Sequence, residues 1–282
     1  MTRQDQGAHV RRSDGEVHAT KFPSAPAIKR IGFFHFGSDD KSDPILALQQ
    51  SIRSQDPGKN CLIVIPEAFN LRNSYYRREF DPSIAGSLAV VSTEFEVALV
   101  AGSIDKCGVR SYSSAYLVDG EVCKLLSRKL QDDVSGNYTP YPGKYDEPIL
   151  YRGVCVAALI CLDADAEGGF RPGAYTYTQM NESRARSAQV KERHETLLRR
   201  IDACRNGAPA VLCIPARMEE VSCEVIGEAW GRRRADLAVI VANATSRHPS
   251  VIQFGDQLVR SNKSENAICA VELEFLLRHG VA

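Results

Sequence analysis

The run Cys61-Leu-Ile-Val-Ile65 is apolar at every position and is bounded by Asn60 and Pro66. A strand with one face in water alternates apolar and polar residues, so an unbroken run of this length suits a strand buried on both faces. Further segments of strand length are Ile31–Phe36, Ala98–Ile104, Ser113–Val118, Val122–Leu126, Ile149–Arg152, Val154–Ile160, Ala210–Ile214, Leu237–Ala242 and Ala267–Leu273. Asp119-Gly120 is a hairpin signal between two of them. Helix-like stretches intervene at Pro44–Ser54, at Pro82–Phe95 and around Glu219–Arg234. Val190, Leu197, Leu198, Ile201 and Cys204 also share one helical face, which ends at Asn206-Gly207. Strands and helices mixed without a linker predict one α/β domain over 27–282. Residues 1–26 are polar and aperiodic and read as a disordered tail. Two segments read as long loops: Gln131–Glu147, and Asp163–Ser187 with Gly168, Gly169, Pro172 and Gly173.

Lys plus Arg and Asp plus Glu each total 35 of 282 residues, which gives no broad basic face for nucleic acid and no polybasic membrane patch. No apolar run approaches the ~18 residues of a membrane span, so a soluble protein is expected. The nine cysteines include no CxxC pair, and several lie inside apolar runs. With no secretory segment, that favours a reducing cytoplasm. The histidines show no zinc spacing. His194-Glu195 lacks a second histidine four residues on and reads as helix surface. Neither a Walker loop nor a G-x-S-x-G elbow is present. Arg232-Arg233-Arg234 reads as a solvated face or a subunit contact.

Three reactive side chains stand at the carboxyl ends of predicted strands, where α/β sheets build their sites. Glu67 follows Leu62–Ile65 and Pro66, Lys129 follows Val122–Leu126, and Cys161 closes Val154–Ile160. A carboxylate, an ammonium and a thiol suffice for acyl transfer. The carboxylate takes the thiol proton, the thiolate attacks a carbonyl or nitrile carbon, and the cation steadies the developing negative charge. Taken singly, Cys161 reads as a core thiol, Glu67 as a cap residue and Lys129 as a solvated strand end. Their conjunction in matching contexts points to chemistry.

These residues sit in Leu62-Ile-Val-Ile-Pro-Glu-Ala-Phe69, Ser127-Arg-Lys-Leu130 and Val156-Ala-Ala-Leu-Ile-Cys-Leu-Asp163. In motif, order and separation the sequence resembles the nitrilase superfamily of carbon–nitrogen hydrolases. The likeness extends to Val100-Ala-Gly-Ser103, Tyr141-Pro-Gly143, Ala210-Val-Leu-Cys-Ile-Pro215 and Val239-Ile-Val-Ala-Asn243. It implies an αββα sandwich with catalytic Glu67, Lys129 and Cys161, and an oxyanion held by Lys129 and the backbone N–H of Leu162. It also implies pairing into a homodimer or larger homo-oligomer, and neither a cofactor nor a metal.

The sequence departs from the family pattern at several points. Where many members carry a second glutamate, this chain has Asn137 or Tyr138, which become substrate-contact candidates. Leu162 replaces the usual aromatic after the cysteine, and Ala164–Phe170 replaces an Arg-Phe-Pro-Glu-like turn. The expectation is therefore a thiol-dependent hydrolase of a small amide or carbamoyl-type substrate, with nitriles behind amides. The Asp163–Ser187 segment would form the rim of its pocket. An acyltransferase using the same triad and a catalytically idle binding or signalling module are the alternatives.

Overall fold

The computed structural model describes residues 26–36, 43–67, 69, 71–72, 79–80, 83–107, 110–130, 146–165, 177–217, 222–244, 248–261 and 266–274. The expected tail falls outside them apart from Pro26, as do Asn137, Tyr138 and residues 166–176. In chain order the elements are β1 (Arg30–His35), α1 (Pro44–Gln55), β2 (Cys61–Ile65), β3 (Leu71–Arg72), β4 (Glu79–Phe80), α2 (Ser83–Phe95), β5 (Ala98–Cys107), β6 (Arg110–Asp119) and β7 (Val122–Arg128). They continue with β8 (Ile149–Tyr151), β9 (Val154–Ala158), a 3-10 turn (Cys161–Ala164), α3 (Tyr177–Arg205), β10 (Ala210–Ala216), α4 (Cys223–Arg233), β11 (Leu237–Asn243), β12 (Val251–Phe254), β13 (Gln257–Arg260) and β14 (Ala267–Glu272). Among the described residues no helix is long and apolar enough to cross a membrane.

Two mixed sheets stand face to face, one ordered β14-β1-β2-β5-β6-β7 and the other β13-β12-β11-β10-β9-β8, while β3 and β4 form a small separate ribbon. The inner strands are parallel, β1 with β2 and β2 with β5 in one sheet, β9 with β10 and β10 with β11 in the other. Strand alternation divides the apolar residues between two cores. Ile31, Phe33, Leu62, Val64, Ala98 and Val100 point between the sheets and meet Val156, Val211, Cys213 and Ile240. Phe34, Cys61, Ile63, Ile65 and Leu99 point the other way, against Leu48 and Ile52 of α1 and Leu88 and Val91 of α2. The second sheet is covered likewise, with Leu197, Ile201, Ile226 and Trp230 of α3 and α4 in its core. This two-sided burial explains the unbroken apolar runs and makes the architecture an αββα sandwich.

Local signals set the boundaries. The Asp43 carboxylate accepts from the Ile45 and Leu46 N–H groups and opens α1 with Pro44 in its first turn. Asp119 pairs with Val122 around Gly120-Glu121, and Gly120 adopts the positive φ that this tight turn requires.

Three readings of the sequence need correction. Asp163–Ser187 is not all loop, because α3 already begins at Tyr177. Residues 177–187 contain neither Gly nor Pro but are polar almost throughout, so they carry no apolar stripe to mark a helix. Second, the expected strands omit β12 and β13, which form a hairpin around Gly255-Asp256 that extends the second sheet beyond Asn243. Third, His194 is fully buried rather than on the helix surface, with its ring 4.8 Å from that of Trp230.

The two sheets are tied together where Pro66 leaves β2. The Glu67 N–H donates to the Ala216 carbonyl at 3.3 Å, and the Phe69 N–H donates to the Gly102 carbonyl at 3.1 Å. One turn is thereby pinned to β5 and β10 together. Gly102 leaves no room for a side chain. A Cβ there would lie 2.6 Å from Glu67 Cα, 2.8 Å from Pro215 Cβ and 2.8 Å from the Pro66 carbonyl oxygen. Gly102→Ala should destabilise the protein by about 1–3 kcal/mol in thermal or urea unfolding. Gly86→Ala, in α2 with nothing within 4 Å of the new carbon, should be neutral or stabilise by up to ~1 kcal/mol. Equal stability of the two variants would contradict this packing.

Candidate active site

Glu67 is delivered by the pinned turn into the seam between the sheets, where it is 4% exposed. Its Oε1 accepts from Lys129 Nζ at 2.9 Å and from Ser113 Oγ at 2.8 Å. Lys129 lies one residue past β7, and its N–H continues the ladder by donating to the Ser113 carbonyl at 2.8 Å. Ser113 thus sets both ends of the ion pair, one through its hydroxyl and the other through its backbone. Lys129 is 3% exposed. Burial works against its charge, but Cys161, Glu67 and Asp163 outweigh burial and hold its pKa well above the ordinary lysine value. It remains an ammonium.

Cys161 enters from the opposite sheet. The Leu159 N–H still pairs with the Cys213 carbonyl at 3.1 Å, so the chain follows β10 beyond the end of β9 and then turns. Cys161 takes φ +50°, a left-handed conformation that costs a non-glycine residue about 1–2 kcal/mol. Its thiol has one proton to donate, with the Glu67 carboxylate and the Arg217 carbonyl, 3.9 Å away, as its two acceptors. Burial, with Glu67 adding to it, raises the thiol pKa to about 12 against the pull of Lys129 and a backbone hydrogen bond from Arg217. At neutral pH the resting group is a thiol facing a carboxylate.

The turn that carries Cys161 is held from beneath by α3 and α4. Trp230 Nε1 donates to the Ala164 carbonyl at 2.8 Å, and His194 Nε2 donates to the Asp163 carbonyl. Burial lowers the His194 pKa to about 4, with Arg233 and Arg193 adding to the effect, so the ring is neutral at pH 7. The Asp163 side chain is fully buried; it accepts from the Leu130 N–H and from Arg193 Nη1. Of the sequence-predicted residues, the structure brings Glu67, Lys129 and Cys161 together and puts the Leu162 backbone in the turn after the thiol. Sequence reasoning missed Ser113, Asp163, Arg193, His194 and Trp230. Only Asp163 carried a local signal, two positions after the thiol. Among the described residues, no three His, Cys, Asp or Glu side chains are grouped to hold a metal ion.

No protein-family model matches the sequence, and no curated relative matches it either. Solved structures do match the fold. An amidase from Nesterenkonia sp. is similar with a TM-score of 0.58 at 16% identity, over 88% of this chain and 90% of that one. A Cys-to-Ser mutant of the Nesterenkonia AN1 amidase, from the nitrilase superfamily, gives 0.55 at 14% identity, over 91% and 96%. A carbon–nitrogen hydrolase from Helicobacter pylori G27 gives 0.57 at 16% identity, over 89% and 91%. The αββα sandwich of this chain is therefore the fold of nitrilase-superfamily carbon–nitrogen hydrolases.

Proposed function

We propose that the protein is a divergent nitrilase-superfamily hydrolase that cleaves a non-peptide carbon–nitrogen bond through a thioester on Cys161. The observation that carries this reading is the buried contact of Glu67 with both Lys129 and Cys161 at the seam of the sandwich. A stable core gains little from a carboxylate, an ammonium and a thiol in one dry spot. Chemistry that moves a proton and builds a negative charge uses all three.

Glu67 takes the Cys161 proton as the sulfur attacks the substrate carbonyl carbon. The carbonyl oxygen becomes an oxyanion beside the Lys129 ammonium and the Leu162 N–H. The tetrahedral species collapses, the carbon–nitrogen bond breaks, and Glu67 passes its proton to the leaving amine. Water then attacks the thioester while Glu67 accepts its proton. The second collapse expels the Cys161 sulfur, which recovers that proton from Glu67 as the carboxylic acid leaves. Amides and carbamoyl-type compounds suit this sequence best. An amine or alcohol replacing water would make the same site an acyltransferase.

Cys161→Ala should abolish covalent capture, since Cys155 is buried within β9 and does not occupy the strand end. Lys129→Met should raise the barrier by at least ~2.7 kcal/mol, about 100-fold in kcat. Mass spectrometry after incubation with small amides should find an acyl adduct on Cys161. The absence of both adduct and turnover across an amide panel would leave the idle binding module as the better reading.

The resting protonation state yields a second test. Glu67 raises the thiol pKa through its charge and its hydrogen bond, and Lys129 lowers it. Removing the carboxylate charge therefore moves the thiol pKa down and enlarges the thiolate fraction at neutral pH. Glu67→Gln should lose amide turnover yet react faster than the parent with iodoacetamide at pH 7. Slower alkylation in the variant would mean that Glu67 already ionises the resting thiol.

A further inference from the structure

A heavily hydrogen-bonded side chain lies behind the triad. Arg193, on α3, is 7% exposed. Its Nε donates to Asp146 Oδ2 at 2.5 Å, and its Nη2 donates to Asp146 Oδ1 at 2.6 Å, a two-pronged grip on one carboxylate. Nη1 donates to Asp163 Oδ2. Nη2 also reaches the Arg128 carbonyl at 2.6 Å and Ser127 Oγ at 3.1 Å. Two turns along α3, Arg200 Nη1 donates to the Asp146 carbonyl at 2.5 Å.

These bonds bracket Lys129 on both sides. Arg193 holds the residue before it by the Arg128 carbonyl. Asp163, itself held by Arg193, accepts from the N–H of Leu130, the residue after it. Asp163 is also two residues past Cys161, so one guanidinium ties the strand end bearing the ammonium to the turn bearing the thiol. Ser127 Oγ closes the far side by donating to Asp146 Oδ1 at 2.8 Å. We propose that Arg193 is a positioning residue of the active site, clamping the Lys129 strand end to the Cys161 turn through Asp163 while Asp146 orients its fork.

The inference rests on the hydrolase reading for its kinetic consequence, but the clamp itself is testable without a substrate. Lysine keeps the charge of Arg193 and cannot reproduce the fork, since its single ammonium cannot span Asp146, Asp163 and the Arg128 carbonyl. Loosening the clamp lets Lys129 drift from the sulfur it faces, and a misplacement near 1 Å costs about 100-fold.

The experiment compares parent protein, Arg193→Lys and Ser127→Ala, each corrected for the folded fraction by circular dichroism. The first readout is the rate of Cys161 alkylation by iodoacetamide at pH 8, followed by mass spectrometry. The second is kcat and KM on whichever amide the parent hydrolyses. Arg193→Lys should slow alkylation and lower kcat by about 10–100-fold with KM within about twofold. Ser127→Ala, which removes one link without stranding a buried charge, should move both readouts in the same direction by a smaller factor, and it decides the question if Arg193→Lys does not fold. Parent-like alkylation and kcat in a folded variant, with only its melting temperature lowered, would overturn the proposal and leave Arg193 a structural ion pair. If the parent hydrolyses no amide, the hydrolase reading fails while the alkylation readout still decides whether the clamp acts on Cys161.

Discussion

A carboxylate and an ammonium taken out of water at the seam of two sheets are the constraint around which this molecule is arranged. Stripping water from two such ions costs several kcal/mol each, and their attraction offsets this only with good geometry and further hydrogen bonds. Both conditions are met by backbone rather than by flexible loop. Glu67 is fixed through the Ala216 and Gly102 carbonyls, Lys129 through the Ser113 carbonyl, and the Ser113 hydroxyl fills another position on the carboxylate. The sandwich supplies this rigidity because its central strands are buried on both faces and cannot slide without opening one of two cores.

The same burial explains why the thiol does not ionise at rest. A depressed pKa would need an electropositive surrounding, but Cys161 faces Glu67 at close range in a dry environment. In the reaction proposed above, the sulfur stays protonated until a carbonyl carbon is present to accept its electrons, and Glu67 takes the proton at that moment. Lys129, held as an ammonium by the anionic groups around it, would then meet the charge that develops on oxygen. Neutral His194 beneath the turn adds no competing charge.

The layers of the fold were legible from strand-length apolar runs, because double burial erases alternation at Cys61–Ile65 and in β9, β10 and β11. Glu67 and Cys161 were legible because they stand just past two of these strands, β2 and β9, and Lys129 because it stands just past β7, a strand only partly buried. What was hidden falls into two kinds. The start of α3 is polar on all sides, and periodicity reports only helices that bury a stripe there. The supports of the site are pairings across long separations, such as Arg193 with Asp146 and Trp230 with the Ala164 carbonyl. Nothing beside His194 in sequence announces that Trp230 will cover it. Gly255-Asp256 is a different case, since a Gly-Asp pair between apolar segments is a hairpin signal that needed no structure to read.

The strained φ at Cys161 connects these supports to the chemistry. A left-handed cysteine relaxes unless its surroundings hold it, and a strand that simply continued would carry the thiol past Glu67. Here the chain beyond Cys161 is gripped at three successive kinds of group. Arg193 and the Leu130 N–H hold the Asp163 carboxylate, His194 holds the Asp163 carbonyl, and Trp230 holds the Ala164 carbonyl. All three supporting side chains come from α3 and α4, the helices that cover the outer face of the second sheet. The outer layer therefore has two physical roles, closing the core on one side and keeping the thiol turned into the seam on the other. That coupling makes the charge clamp at Arg193 part of the geometry of the site and not only of its stability.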